Sequence, residues 1–170
     1  MNYNLALLGL IEIVTAVTIG IFILALTFKI LQFVGKKYYD IQQSNLAYSI
    51  YTASIMFSAG YMVSSVIQPL VSSFRLLDRQ DDSYLLALKY LAQGGLFISI
   101  AYFAAILIGL ISAFMYSRLT PIDEFKEIKE NNVGIALVIS SIIITLTLLT
   151  KSGVALLIES IIPYPQGPPL

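Results

Sequence analysis

A chain of 170 residues that is 58% hydrophobic and only 12% charged, with a mean hydropathy of +0.84, lies outside the soluble norm of roughly 45–50% apolar and about 25% charged. It reads as an integral membrane protein. Ten basic and ten acidic residues cancel, so no net field favours nucleic acid, and the absence of cysteine and histidine excludes thiol redox chemistry and thiolate or imidazole metal sites. The acids are scattered without a calcium-loop spacing, and no catalytic centre, metal or cofactor is expected.

Four apolar stretches approach or exceed the roughly 20 residues that cross a hydrocarbon core of about 30 Å. They cover residues 5–28, 46–65, 91–115 and 133–150, the last being short. Backbone groups find no water in a bilayer core, and the ten-residue alternation of a membrane strand is missing, so each stretch is expected to cross as a helix. The fold class is all-α.

The first stretch is too long for a signal peptide, lacks a basic start, and is followed by Lys29, Lys36 and Lys37 in place of a small-residue cleavage site. Those lysines, with Arg118, Lys126 and Lys129, fall on one side of the predicted spans, against Arg75, Arg79, Lys89 and Lys151 on the other. Basic loops are retained in the cytoplasm, so the bias predicts a multi-pass membrane protein with both termini outside.

Two segments resemble each other. "YDIQQSNLAYSI", beginning at Tyr39, and "KEIKENNVGIAL", beginning at Lys126, each precede a long apolar run, and aligning Asn45 with Asn132 pairs Asp40 with Glu127, Ile41 with Ile128 and Ser54 with Ser141 at an offset of 87 residues. This predicts two tandem two-helix repeats, 1–77 and 91–162, joined by a polar connection at 78–90 and followed by a Pro-rich tail at 163–170. Two crossings per repeat leave both copies facing the same way, related by a pseudo-two-fold axis along the membrane normal.

Each asparagine reads first as an N-cap where its helix starts, and alternatively as part of a symmetric polar ring or docking point for a partner. "PIDEFKEIKENN" adds Pro121 suited to a first helical turn and Ile122, Phe125 and Ile128 along one face, a short amphipathic helix that could receive a cytoplasmic or membrane protein partner. The second and fourth spans carry the small and hydroxylated residues that let helices approach closely, among them Ser54, Ser58, Gly60, Ser140, Ser141 and Thr145, and are expected to pack centrally. The first span, with Ile19, Ile21, Phe22, Ile23 and Leu24, is expected to face lipid, and Tyr48, Tyr51 and Tyr61 to sit at helix contacts or a subunit boundary.

The order acid, Ile, three residues, Asn, then a small-residue membrane helix, here "DIQQSNLAYSI" and "EIKENNVGIAL", resembles the bacterial inner-membrane family of domain of unknown function 350 across nearly the whole chain. That family favours Ala-Val-Ala-like residues after the asparagine, where this chain has "LAYSI" and "VGIAL", and a Gly-rich helix centre, where it has "SAG" and "SSIII". The resemblance implies no established biochemical activity and an association with membrane maintenance, including stress-response and flotillin-like partners.

Among ionisable residues, Glu12 lies inside the first span, where a charged group is a functional candidate by default. A Glu12–Lys151 ion pair is the favoured expectation; a conducting role for Glu12 and snorkelling to the interface are the alternatives. Glu159, in the apolar segment after Lys151, is a candidate polar group of a pore or outer face; that segment and its counterpart around Pro69 either extend the preceding helices, lie on the interface, or form re-entrant half-helices. The expectation is a non-enzymatic, homo-oligomeric membrane scaffold or stress component with cytoplasmic docking loops. The alternative is a small oligomeric ion channel built on Glu12 and the Ser/Thr-rich second and fourth spans.

Overall fold

A hydrocarbon environment forces a chain to satisfy its backbone within each segment, and the structure follows that constraint. The computed structural model describes residues 3–39, 41, 45–77, 83–120 and 123–162, with the side chains of 3–8, 11–12, 38–39, 74–77, 83–88 and 90 outside that description. Among the described residues all regular structure is helical: α1 (Tyr3–Tyr39), α2 (Leu46–Val63), α3 (Ile67–Leu77), α4 (Ser83–Leu119), α5 (Glu124–Lys129) and α6 (Val133–Glu159), with a 3₁₀ turn at Ser64–Val66. Four stretches are long and apolar enough to cross a membrane: Ile13–Lys37, Leu46–Ser73, Leu91–Leu119 and Val133–Glu159.

The helices outrun the apolar stretches that announce them. α1 carries Lys29, Lys36 and Lys37 on its own surface instead of in a loop, because lysine is a good helix former and a cation suits a helix C-terminus. α6 continues through Lys151 to Glu159 instead of stopping at 150, so the segment beyond Lys151 extends the helix. The Pro69 segment does the same with one adjustment. Proline at 69 removes a donor and crowds the carbonyl of Ser65, and the 3₁₀ turn Ser64–Val66 is where α2 tightens before resuming as α3.

α2 is the central helix. Half of its span is buried, against 11% for that of α1, because α2 packs against α1, α4 and α6 together while α1 leaves Ile13, Val17, Ile21 and Phe22 exposed. α1 is not wholly outward, however: Ile23 is buried with Met62, Val66 and Phe97 in a core shared by α1, α2, the 3₁₀ turn and α4. A second core, around Tyr51, Tyr116, Ile128, Ile139 and Ile143, joins α2 and α6 to the C-terminal end of α4 and to α5.

The α2–α6 pair is the most extensive contact and it is parallel, since Ser140 Oγ donates to the Ile50 carbonyl at 3.4 Å and Ser58 meets Thr147 at 2.7 Å, partner numbers rising together. Thr147 Oγ1 donates its proton to the Ile143 carbonyl at 2.7 Å, which makes Ser58 the donor of the interhelical bond. Ser54 and Ser140 are buried along the same seam. Gly60 is half-buried with Leu24 of α1 alongside, where an added Cβ would sit in ordinary contact at 3.5 Å. Ser141 and Thr145 depart from the packing expectation. They are exposed, because they lie on the other stripe of α6 from Ser140, Ile143 and Thr147, and Ser141 bonds its own helix at Leu137.

The flanking helices are attached by polar contacts within apolar packing. Thr27 of α1 lies 3.3 Å from the Tyr102 hydroxyl of α4, and Ser73 of α3 donates to the Gln93 side chain of α4 beside Leu70, which rests on Gly94.

Because the seam is fitted to small side chains, Ser58→Leu is expected to force α2 and α6 apart and destabilise the fold by about 1–3 kcal/mol, the range for an overpacked site. Thr147→Val, which keeps the volume and lets Ser58 turn to the carbonyl of Ser54 one turn back, is expected to cost no more than about 1 kcal/mol. Unfolding of both variants in mixed micelles, read by circular dichroism, checks this ordering.

Candidate functional site

The N-termini of α2 and α6 and the C-terminus of α5 meet at one end of the bundle, where twelve helix-terminal donors and acceptors would otherwise compete for partners in the time-honoured shortage of four per end. Asn45 and Asn132 have extended backbones, at φ −76°, ψ 111° and φ −74°, ψ 94°, and each caps its own helix: Asn45 Oδ1 accepts from the Tyr48 N–H at 2.7 Å, Asn132 Oδ1 from the Ile135 N–H at 3.3 Å.

Their amide nitrogens differ. Asn45 Nδ2 donates to the Ile128 carbonyl at 2.7 Å and the Lys129 carbonyl at 3.1 Å, the last acceptors of α5, while Asn132 Nδ2 donates to Glu127 Oε2 at 2.8 Å. Asn45 is buried and Asn132 exposed. The two asparagines therefore share a cap geometry but not a role.

α5 closes in a Schellman turn. Asn131 adopts φ 64°, its N–H bonds the Ile128 carbonyl at 3.0 Å, and the Asn132 N–H bonds the Glu127 carbonyl at 2.9 Å. The turn aims the Asn131 side chain at α2, where Oδ1 accepts from the Ala47 N–H at 3.0 Å. Asn45 ties α2 to α5 and Asn131 ties α5 back to α2. Beneath this double latch Ile128 is fully buried and Phe125 meets the Tyr51 ring edge-on at 6.2 Å between centroids.

Asn131 was legible only as the first half of an "NN" doublet. Its signal is the tolerance of asparagine for the left-handed conformation, which a helix C-terminus uses. Asp123 caps α5, accepting from the Lys126 N–H at 3.2 Å, while Pro121, Ile122 and Asp40 lie outside the described residues. Lys126, Lys129 and Glu130 are exposed around this latch.

At the opposite end Lys151 lies eighteen residues into α6, about 27 Å from its start and so near the far edge of a hydrocarbon core. Its Nζ sits 3.9 Å from the centre of the Tyr61 ring, which in turn stacks on Phe57 at 5.5 Å. The side chain of Glu12 lies outside the described residues, and with it the Glu12–Lys151 pair. Lys151, Glu159, Gln68, Ser64 and Ser65 line a recess of about 470 Å³ between α6 and the α2–α3 joint, with Glu159 exposed. The expected tyrosine contacts are present: Tyr48 donates to the Leu31 carbonyl of α1 with its ring over Gly35, Tyr51 is in the second core, and Tyr61 holds Lys151.

The inequality of the two asparagines is measurable. Asn45→Ala removes a cap and two bonds to α5 at a buried site and is expected to cost about 3 kcal/mol, whereas Asn132→Ala at an exposed cap is expected to cost about 1 kcal/mol. Asn45→Asp keeps the cap but sets a carboxylate against two carbonyls, so it should resemble Asn45→Ala. Stabilities in mixed micelles, with exchange of the Ala47 and Tyr48 amides, check both statements.

No curated protein and no solved structure matches this chain. A match to the family described as Domain of Unknown Function (DUF350) runs over residues 4–154, which takes in all four apolar spans and both asparagine caps short of the last turn of α6. The chain belongs to the DUF350 family.

Proposed function

We propose that this protein is a non-enzymatic, homo-oligomeric scaffold of the bacterial inner membrane, built from two tandem two-helix repeats with both termini outside and α5 as its cytoplasmic docking element. The observation that carries the reading is the latch of α5 across the starts of α2 and α6. A six-residue helix has no stability of its own in water, and here it is held by Asn45, Asn131 and buried Ile128 while Lys126 and Glu130 stay exposed. A fixed platform of this kind presents charge to a protein partner at little further ordering cost.

The repeat reading draws support from the matching caps of Asn45 and Asn132 and from the parallel α2–α6 pair, which two crossings per repeat require. The channel alternative would use the hydroxyls of α2 and α6, yet Ser58 and Thr147 are buried against each other in direct helix contact, an arrangement that favours packing over conduction within one protomer.

Ion flux tests the choice. Proteoliposomes carrying the purified protein are expected to show background flux of potassium, sodium, protons and chloride, unchanged by Glu12→Gln at matched incorporation. Reversing the α5 charges with Lys126→Glu and Glu130→Lys is expected to leave melting and oligomeric state intact while removing retained partner proteins. Flux above background that Glu12→Gln selectively alters would replace the scaffold with a channel.

A further inference from the structure

On the face of α2 turned away from α6, an open groove of about 820 Å³ separates α2 from α1. Its α1 wall carries Lys29, Gln32 and Lys36 on one side of the helix, and the two lysines, seven residues apart, stand about 10 Å from one another along the axis. Among the described residues lining the groove there is no carboxylate.

Thr52 of α2 lines the same groove. Thr27, Thr147 and Thr150 each donate to the carbonyl four residues back in their own helices, as buried or membrane-embedded threonines ordinarily do. The Thr52 residue is more than nine-tenths buried and its Oγ1 has no partner among the described residues. A buried hydroxyl left unpaired costs about 1–3 kcal/mol, so the α2 wall of the groove carries an unmet polar demand.

Both walls belong to membrane spans, Ile13–Lys37 and Leu46–Ser73, so the groove opens sideways into the bilayer. An occupant there must be polar toward the helix end, where Lys36 and Ser49 lie, and apolar toward the membrane centre, where Phe28 and Met56 continue the walls. Two cations with no carboxylate among the described lining residues select a negative head. Basic pockets between membrane helices are a recognised setting for acidic lipid headgroups.

We propose that the α1–α2 groove is a binding site for an anionic phospholipid, with Lys29 and Lys36 holding the phosphate, the Thr52 side chain turning its buried hydroxyl outward to donate to a headgroup or ester oxygen, and an acyl chain lying along Phe28 and Met56.

The test is native mass spectrometry and thermal unfolding of the detergent-purified full chain, titrated with dioleoylphosphatidylglycerol or dioleoylphosphatidylcholine. Phosphatidylglycerol is expected to bind saturably and raise the melting temperature, phosphatidylcholine to do neither. Lys29→Gln with Lys36→Gln should weaken phosphatidylglycerol binding on the order of tenfold or more. The charge-matched control Arg118→Gln with Lys126→Gln, at the same end of the bundle but outside the groove, should weaken it less than about threefold, an allowance for general surface attraction. Ala53→Trp, which fills the groove without changing charge, should also abolish the bound lipid, and it keeps the test decisive where the lysine variant fails to fold.

Equal binding of both lipids, or an equal loss in the control variant, overturns the proposal. So does the same stabilisation by glycerol 3-phosphate alone, which would make the ligand a free phosphate. In a chain without native cysteine, an Ala53→Cys disulfide between copies that forms regardless of added lipid would show a second copy seated in the groove and would equally overturn it.

Discussion

The carboxamide of Asn45 closes hydrogen bonds to three backbone groups on two helices: the Tyr48 N–H of α2 and the Ile128 and Lys129 carbonyls of α5. Helix ends are the one place where a membrane-embedded chain leaves backbone groups unpaired, and at a buried end no water can take the missing part. By spending one side chain on the start of one helix and the finish of another, the fold turns two separate deficits into one joint. The position of α5, the approach of Tyr51 and Phe125, and the seating of Ile128 follow from it.

From that joint the α2–α6 pair runs inward on small side chains. Small residues matter because lipid is as apolar as leucine, so helices in a bilayer associate through close contact and hydroxyl bonds instead of hydrophobic exclusion. Ser58 and Thr147 supply both. α1 and α4 then pack around α2, with α1 the outermost of the spans and most of its large aliphatic residues exposed. That peripheral seat is also what leaves space between α1 and α2 toward the lysine-bearing end. Gly35 admits the Tyr48 ring at the bottom of this junction, where any Cβ would come within 2.5 Å of the phenol oxygen.

Lys151 shows how such a fold handles charge at its other end. An ammonium near the edge of a hydrocarbon core is costly, and the face of Tyr61 meets it with the ring quadrupole. The stacked Phe57 holds that ring, so two aromatic residues of α2 position a cation of α6 and add to the pairing of the two helices.

Composition and the lengths of apolar runs were enough to read a membrane protein of helices with four spans, because the bilayer imposes a length and a hydrogen-bonding rule that any spanning segment must obey. The motif around Asn45 and Asn132 was sufficient for the family resemblance and for the caps, since capping is a local matter settled within four residues. Helix ends were read short at Lys29 and Lys151, because hydropathy registers a charge while a helix tolerates one. What only the tertiary structure decided is non-local: which asparagine is buried, that Asn131 reaches α2, that Ser141 and Thr145 face outward while Ser140 and Thr147 face in, and that Thr52 finds no partner among the described residues. Each depends on the rotation of one helix against another about its own axis. Packing of whole side-chain surfaces sets that rotation, and no stretch of sequence contains both surfaces.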